Sequence, residues 1–196
     1  MLTYLGDSSS TWTVNRYKRR ALENCEQMGE LGQLSYTLLA AGVLDAGQAR
    51  WGDANDNLAR AASICIQLKD RKQWEEAICH QAHLEYYHGK FDESKSLYES
   101  AAASAEERGD KQIRNRCNAG IAAVLLATNE IGRATSILES TNSFGQLALA
   151  FLRSGRREAA FEMACKVKDR FKVSLSLRLY LSLSPSLSAR LLISLT

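Results

Sequence analysis

The sequence is almost without proline, and that absence favours helices. Its single proline is Pro185, so the stretch from Met1 to Ser184 contains no residue that forbids a helix. Leucine alternates with serine near the C-terminus with the period of a strand, but the chain offers no second strand signal with which it could pair. Hydrophobic residues make up 45% and charged residues 24% of the chain, a mixture typical of a folded domain and not of a disordered segment. We therefore predict an all-α protein.

The chain also lacks the marks of export. Its first twenty residues have no apolar core, and their basic residues follow a polar run, which reverses the order of a secretory signal. The cysteines are odd in number and widely spaced, with no C-x-x-C pair, which is typical of free thiols in a reducing compartment. They are Cys25, Cys65, Cys79, Cys117 and Cys165. We predict a cytoplasmic protein.

Motifs for catalysis are missing as well. Neither G-x-x-x-x-G-K-[ST] nor G-x-G-x-x-G occurs, so no glycine loop is evident to cradle a phosphate. Cys79, His80 and His83 lie close together on one predicted helix, and zinc accepts both residue types. A tetrahedral site needs a fourth ligand, which the sequence does not specify. We predict no enzymatic activity, no cofactor and no metal, with Cys79 in the core and the histidines at a groove or in solvent.

A repeat of forty residues runs through the chain. Three segments align without gaps, starting at Ala21, Ala61 and Ala101, and each ends a helix-like run at a short polar break. Gly29 and Gly109 in these breaks suit the left-handed position just past a helix C-terminus. An acidic residue follows each break and favours the start of the next helix. These acids are Glu30, Asp70 and Asp110.

The break at Arg108-Gly109-Asp110 resembles the adhesive tripeptide with which extracellular matrix proteins bind integrins. Two interpretations are open, a receptor ligand and a corner between two helices. Adhesion requires an extracellular protein, whereas the N-terminus and the cysteines indicate an intracellular one. The position of the tripeptide at a repeat break favours the corner.

A second set of equivalent positions confirms the period. Large, small, large and small residues recur at offsets of three, four and three, which places them on one stripe of a helix. The three sets are Trp51, Ala54, Leu58 and Ala61; Phe91, Ser94, Tyr98 and Ala101; and Ile131, Ala134, Leu138 and Thr141. In the stretch from Tyr86 to Ala101, a glycine stands two residues before the aromatic residue that begins this pattern, and the stretch resembles a tetratricopeptide repeat (TPR).

The TPR resemblance covers about Tyr17 to Val167. It implies a right-handed α-solenoid of antiparallel helix pairs, here with about 40 residues per repeat. Its first helices would line a concave face that binds a peptide or a partner's helix, so we predict a non-catalytic scaffold for protein–protein interaction. The residues predicted to contact the partner are Glu76, His80, His83, Tyr87 and Arg116. The basic and amide residues of chaperone-binding members are mostly absent, so chaperone binding is not predicted.

A narrower resemblance suggests an alternative function. The stretch from Gln73 to Ser140 is similar to the helical-repeat tail of large nucleotide cyclases of the soluble adenylate cyclase type. In that family a pair of cyclase domains and an ATPase module precede the tail. The resemblance implies that this chain is a truncated regulatory repeat region whose catalytic domains are missing.

These registers predict three parts: a flexible N-terminus at 1–10, a TPR-like domain at 11–168, and a low-complexity tail at 169–196. Helix 11–28 would be the second helix of a repeat whose first helix is missing. The pairs that follow are 31–48 with 51–68, 71–88 with 91–108, 111–128 with 131–141, and 144–153 with 156–168. From Lys172 onward the tail is mostly leucine and serine without an acidic residue, and we interpret the tail as non-native or disordered. Serine interrupts its apolar runs, so no membrane span is predicted.

Charge does not favour a nucleic-acid partner. The net charge of +3 is small, and the basic residues between Arg16 and Arg20 form a local cluster and not a continuous stripe. Binding to a phosphate backbone requires a contiguous basic face. We predict a protein partner and no nucleic acid or membrane, and the sequence does not indicate an oligomeric state.

Overall fold

The computed structural model describes residues 8–141 and 143–167, and their regular structure is helical. Its nine helices are α1 (Ser8–Met28), α2 (Leu31–Gly47), α3 (Trp51–Leu68), α4 (Arg71–Tyr87), α5 (Phe91–Arg108), α6 (Lys111–Ala127), α7 (Ile131–Thr141), α8 (Phe144–Arg153) and α9 (Arg157–Cys165). These residues include no strand, which confirms the predicted all-α fold. The predicted tail at 169–196 lies outside the described residues, as do residues 1–7.

The helix bounds follow the forty-residue register. From α2 to α8 each observed end differs from the predicted one by at most one residue, whereas α9 was expected over 156–168 and ends at Cys165. The first helix begins at Ser8, ahead of the predicted start at Thr11. Helices α2 to α6 are alternately 17 and 18 residues long. Each pair with its two turns therefore occupies forty residues.

A residue with left-handed backbone follows most of these helices, and up to Asn129 such residues recur every twenty positions. They are Gly29, Ala49, Lys69, Gly89, Gly109, Asn129 and Gly155, with φ between 57° and 78°. The left-handed region lets the chain leave a helix and reverse direction, and it costs a residue with a Cβ about 1 kcal/mol. The prediction for Gly29 and Gly109 is confirmed.

The Arg-Gly-Asp tripeptide forms the corner between α5 and α6. Asp110 accepts hydrogen bonds from the backbone N–H groups of Gln112 and Ile113, at 3.0 and 3.1 Å. The Ile113 N–H holds the pKa of the Asp110 carboxyl below its usual range. Arg108 lies 3.0 Å from the same carboxylate and 2.6 Å from that of Glu75. The tripeptide thus ends one helix, caps the next and pairs with a buried acid.

The packing divides the chain into two compact units, one up to Gly120 and one from Ile121. In the first unit the predicted stripes form the contact between paired helices. Ala54, Leu58 and Ala61 are buried, as are their equivalents Ser94, Tyr98 and Ala101. The large first residue of the α3 stripe, Trp51, lies at the edge and is 36% exposed. Small residues therefore allow the helices to approach, and the large residues between them fill the core.

Two fully buried acids in the first unit link elements that are distant in sequence. Asp45 on α2 receives Lys18 Nζ of α1 at 2.6 Å and Asn57 of α3 at 2.9 Å, together with Arg50. Glu75 on α4 receives the Ser104 hydroxyl of α5 at 2.8 Å. These links join α1 to α2 and α3, and α4 to α5. Loss of all the cations around such an acid would leave a buried charge uncompensated, which costs about 3–5 kcal/mol.

The second unit contains α7, α8 and α9. Ala134 and Leu138 of the α7 stripe are buried, and so are Phe151 on α8 and Ala160 on α9. The Arg153 guanidinium donates to the carbonyl of Leu126 at 2.6 Å. Arg156 lies 4.4 Å from the centre of the Phe151 ring. Apolar burial and these two arginines hold the shorter helices together.

A glycine inside α6 allows a close helix contact that can be tested. A Cβ at Gly120 would lie 2.4 Å from the Tyr98 ring, whereas a Cβ at Gly52 in α3 would meet nothing within 4 Å. We expect Gly120→Ala to lower the free energy of unfolding by about 1–3 kcal/mol, because the buried ring has to move. The control Gly52→Ala should be neutral or stabilising by up to about 1 kcal/mol. Urea unfolding measures both; equal stability of the two variants would contradict the packing.

Candidate functional site

The five residues predicted to contact a partner lie on one surface of the first unit. We call this surface, formed by the exposed sides of α2, α4 and the start of α6, the first-helix face. Glu76, His83 and Arg116 are all close enough to His80 to influence its charge. Tyr87 stacks on His83, with ring centres 5.3 Å apart and planes 4° from parallel. The structure therefore brings the predicted residues together, on helices that fix their positions.

Aromatic rings extend this face beyond the predicted set. Trp51, at the start of α3, lies 6.1 Å from the Tyr87 ring and 5.7 Å from the His88 ring. Tyr86 contacts both Tyr87 and Phe91, at 5.8 and 5.7 Å. The Tyr87 side chain is 64% exposed although it has these neighbours. An exposed tyrosine that is held by other rings is a suitable anchor for a partner, since little side-chain entropy remains to be lost on binding.

A hollow of about 340 Å³ opens on the first-helix face between α2 and α4. Val43, Leu58 and Leu84 are among its apolar lining, and His80, His83, Trp51 and Tyr87 also line it. Val43 was not among the residues predicted to contact a partner. The repeat could have indicated it, because Val43 lies forty residues before His83 and so has the equivalent position. By the same forty-residue step, Gly47 on α2 has the position that Tyr87 has on α4. Because glycine has no side chain there, the hollow remains open beside the Tyr87 ring.

Both histidines of the hollow are held in their neutral form. Burial lowers the pKa of His83. Burial also lowers the pKa of His80, and the positive charge of Arg116 adds to this effect. His83 keeps an exposed edge, but its stacked neighbour and the helix remove water from much of the ring. The hollow is therefore uncharged near neutral pH, with the Glu76 carboxylate and the Arg116 guanidinium beside it.

A larger hollow of about 650 Å³ lies on the other side of α4, between the end of α3 and α5. Ile66, Trp74 and Ser104 are among its lining residues. Arg71 spans it, since its guanidinium lies 2.6 Å from the Glu107 carboxylate and 3.1 Å from the Ser104 hydroxyl. A partner would have to displace this ion pair, so we favour the first-helix face.

The cysteine and the histidines of the Cys79–His83 segment do not converge. Cys79 is buried and its Sγ faces Cys117 at 3.1 Å, whereas His83 stacks on Tyr87 at the surface. Within residues 8–141 and 143–167, no three side chains of the types that bind metals form a group. The chemistry that the first-helix face offers is contact with aromatic and apolar groups.

Comparisons with known proteins bear on the fold. No family model and no curated protein matches the chain. BtubC (BKLC) from P. vanneervenii is similar in structure, with a TM-score of 0.66 and 14% identity over 79% of this chain and 73% of that one. A kinesin light chain-like protein of Podosopora anserina with TPR-like repeats has a TM-score of 0.52 and 15% identity, over 83% of this chain and 96% of that one. The fold is TPR-like.

This TPR-like fold is the α-solenoid class that the sequence predicts. Nothing in the comparisons links the chain to nucleotide cyclases, so that resemblance stays a prediction. In the part of the chain that the structure describes, no helix combines the length and the apolar character that a membrane crossing requires.

The lowered pKa values predict how stability depends on pH. Unfolding returns His80 and His83 toward the ordinary value of 6.5, so the unfolded chain binds more protons in mildly acidic solution. We expect their contribution to be complete above about pH 6.5 and to decrease as the pH falls below it. A His80→Gln/His83→Gln variant should lose less stability than the wild type between about pH 7.5 and 5.5. Urea midpoints measure this, and parallel losses in the two proteins would contradict it.

Proposed function

We propose that this chain is a non-catalytic scaffold that holds a peptide or helix of a partner protein on the first-helix face. The observation that carries the proposal is the exposed aromatic surface around the hollow. Trp51, His83 and Tyr87 contact one another in a row and remain accessible to solvent. Aromatic anchors of this kind supply a large share of the binding energy in protein interfaces.

The hollow suggests what the partner presents. Its apolar floor of Val43, Leu58 and Leu84 is suited to one large apolar side chain, such as leucine or phenylalanine. Burying such a side chain contributes about 1.5–3 kcal/mol. The aromatic rim then excludes water from the contact. The partner segment is therefore an apolar or amphipathic one, and not a highly charged one.

The charges beside the hollow favour one direction of the bound segment. Glu76 lies on α4, and Arg116 lies forty residues later on α6, so the two occupy equivalent positions with opposite charge. A partner with a basic residue near Glu76 and an acidic residue near Arg116 is attracted, whereas the reverse order is repelled. The pair thus supports selection of a segment by its charge order as well as by its anchor.

The fold supports the proposed scaffold function only as a class of structure. Repeat arrays of helix pairs present extended surfaces formed by equivalent helices, and many bind segments of other proteins there. In this chain the surface lies on α2 and α4, which are joined to the neighbouring helices by the buried acids Asp45 and Glu75. A surface on such a framework is already ordered before the partner arrives, so binding costs less entropy.

Selection from a displayed peptide library would test the proposal. We expect the selected peptides to carry one large apolar residue in an amphipathic pattern, and Tyr87→Ala to weaken their binding at least about tenfold. Isothermal calorimetry with a selected synthetic peptide measures the change. Tyr17→Ala is a matched control, because Tyr17 on α1 is 66% exposed and Tyr87 is 64% exposed.

A charge exchange adds a second arm to this experiment. Glu76→Arg combined with Arg116→Glu should favour peptides in which the flanking charges are reversed. Equal weakening by Tyr17→Ala and Tyr87→Ala would place binding elsewhere. If no peptide is selected from a library that yields binders for a TPR control protein, the proposal is wrong.

A further inference from the structure

Two buried thiols lie side by side in the core of the first unit. The Sγ atoms of Cys79 on α4 and Cys117 on α6 are 3.1 Å apart. The two side chains are 4% and 0% exposed, and both are free thiols. A bond between two sulfur atoms is about 2.05 Å long, so an approach of about 1 Å would join them. Small shifts of two packed helices provide a movement of this size.

We propose that Cys79 and Cys117 form a reversible disulfide, a covalent modification that links the first helices of two neighbouring repeats. Other thiols in the described residues have different surroundings. Cys25 contacts the hydroxyl of Thr37 at 3.4 Å, and Cys65 lies beside Ser35. Cys165 is exposed at the end of α9. Among the thiols of the described residues, Cys79 and Cys117 are the two whose sulfur atoms are in contact, so we expect the bond to form between them.

The contact between the two sulfur atoms couples the ionisation of the thiols. It lowers the pKa of Cys117 and raises the pKa of Cys79. The Arg116 guanidinium lowers the pKa of both thiols, whereas burial raises the pKa of both. Since the thiolate is the nucleophile, the cysteine that ionises first attacks, and its neighbour completes the bond.

The reaction balances with a small disulfide as the oxidant. The thiolate of one member of the pair attacks one sulfur of the small disulfide and releases one small thiolate, which leaves a mixed disulfide on that cysteine. The other cysteine then gives up its proton, and its sulfur attacks the Sγ atom of the mixed disulfide and releases the second small thiol. Two protein thiols are oxidised to one disulfide, and one small disulfide is reduced to two thiols. An excess of dithiol reductant reverses both steps.

Access to the pair requires a local opening of the core. The ring of Tyr98, which is near both thiols, packs against Gly120 on the helix that carries Cys117. A small oxidant reaches the sulfurs when this packing opens briefly. We therefore expect the pair to react more slowly than the exposed Cys165, and the bond to form within one chain because its two sulfurs already touch.

Peptide mapping after treatment with oxidised glutathione tests the inference. We expect a linked tryptic peptide that joins residues 73–90 to residues 117–133, and its loss after addition of a dithiol reductant. Cys79→Ala and Cys117→Ala should each abolish the linked peptide. Cys65→Ala, which also removes a buried thiol, should retain it.

The wild-type protein alone can contradict the proposed disulfide, so this test does not depend on whether any variant folds. If both Cys79 and Cys117 are alkylated when oxidant-treated protein is unfolded with iodoacetamide, they had not joined. A mixed adduct of glutathione that persists on Cys79 or on Cys117 would have the same meaning.

Thermal unfolding supplies an independent measurement. A bond between residues 79 and 117 closes a loop in the unfolded chain, so oxidation should raise the midpoint by roughly 10 °C. The Cys117→Ala variant should show no such difference between oxidised and reduced samples. An unchanged wild-type midpoint, with the linked peptide present, would contradict the view that the helices accept the bond without distortion. The inference stands or fails separately from the proposed binding of a partner.

Discussion

The regular reversal of the chain is the constraint on which the other features of the structure depend. A left-handed residue ends a helix every twenty positions from Gly29 to Asn129. At Ala49 and Lys69 this backbone carries a side chain, which costs about 1 kcal/mol at each position. The helices on both sides offset this cost by burying their apolar stripes. Because the turns recur at one interval, helices α2 to α6 have nearly one length, and residues forty apart in them occupy equivalent places.

The candidate site arises from chemical differences between these equivalent places. Where α4 has His83 and Tyr87, α2 has Val43 and Gly47, and the change from large to small leaves the hollow between them. The inner surface varies in a similar way. Tyr98 takes the place that Leu58 has in the preceding pair, and its longer ring reaches Gly120, where any Cβ would be too close. A repeat of identical units would offer an even surface without a hollow for an anchor.

Much of the fold could be predicted from the sequence, because helix ends and stripes depend on local rules. The corner at Arg108-Gly109-Asp110 illustrates this, since glycine and a capping acid identify it without knowledge of distant contacts. The site residues were predicted from the register that the TPR resemblance implies. Trp51 as part of the aromatic row was not, because its contact with Tyr87 depends on how one helix start meets the end of another.

Two neighbouring acids on α4 show what local sequence rules do not predict, namely which side chain is buried. Glu75 and Glu76 are adjacent in sequence, yet Glu75 is fully buried against Arg108 and Ser104, whereas Glu76 belongs to the first-helix face. Successive side chains on a helix point about 100° apart, so the rotation of α4 about its axis decides which acid enters the core. That rotation also places Cys79 toward Cys117 and its neighbour His80 toward the hollow. The core and the face are thus two sides of one helix, and a rotation of α4 would change both together.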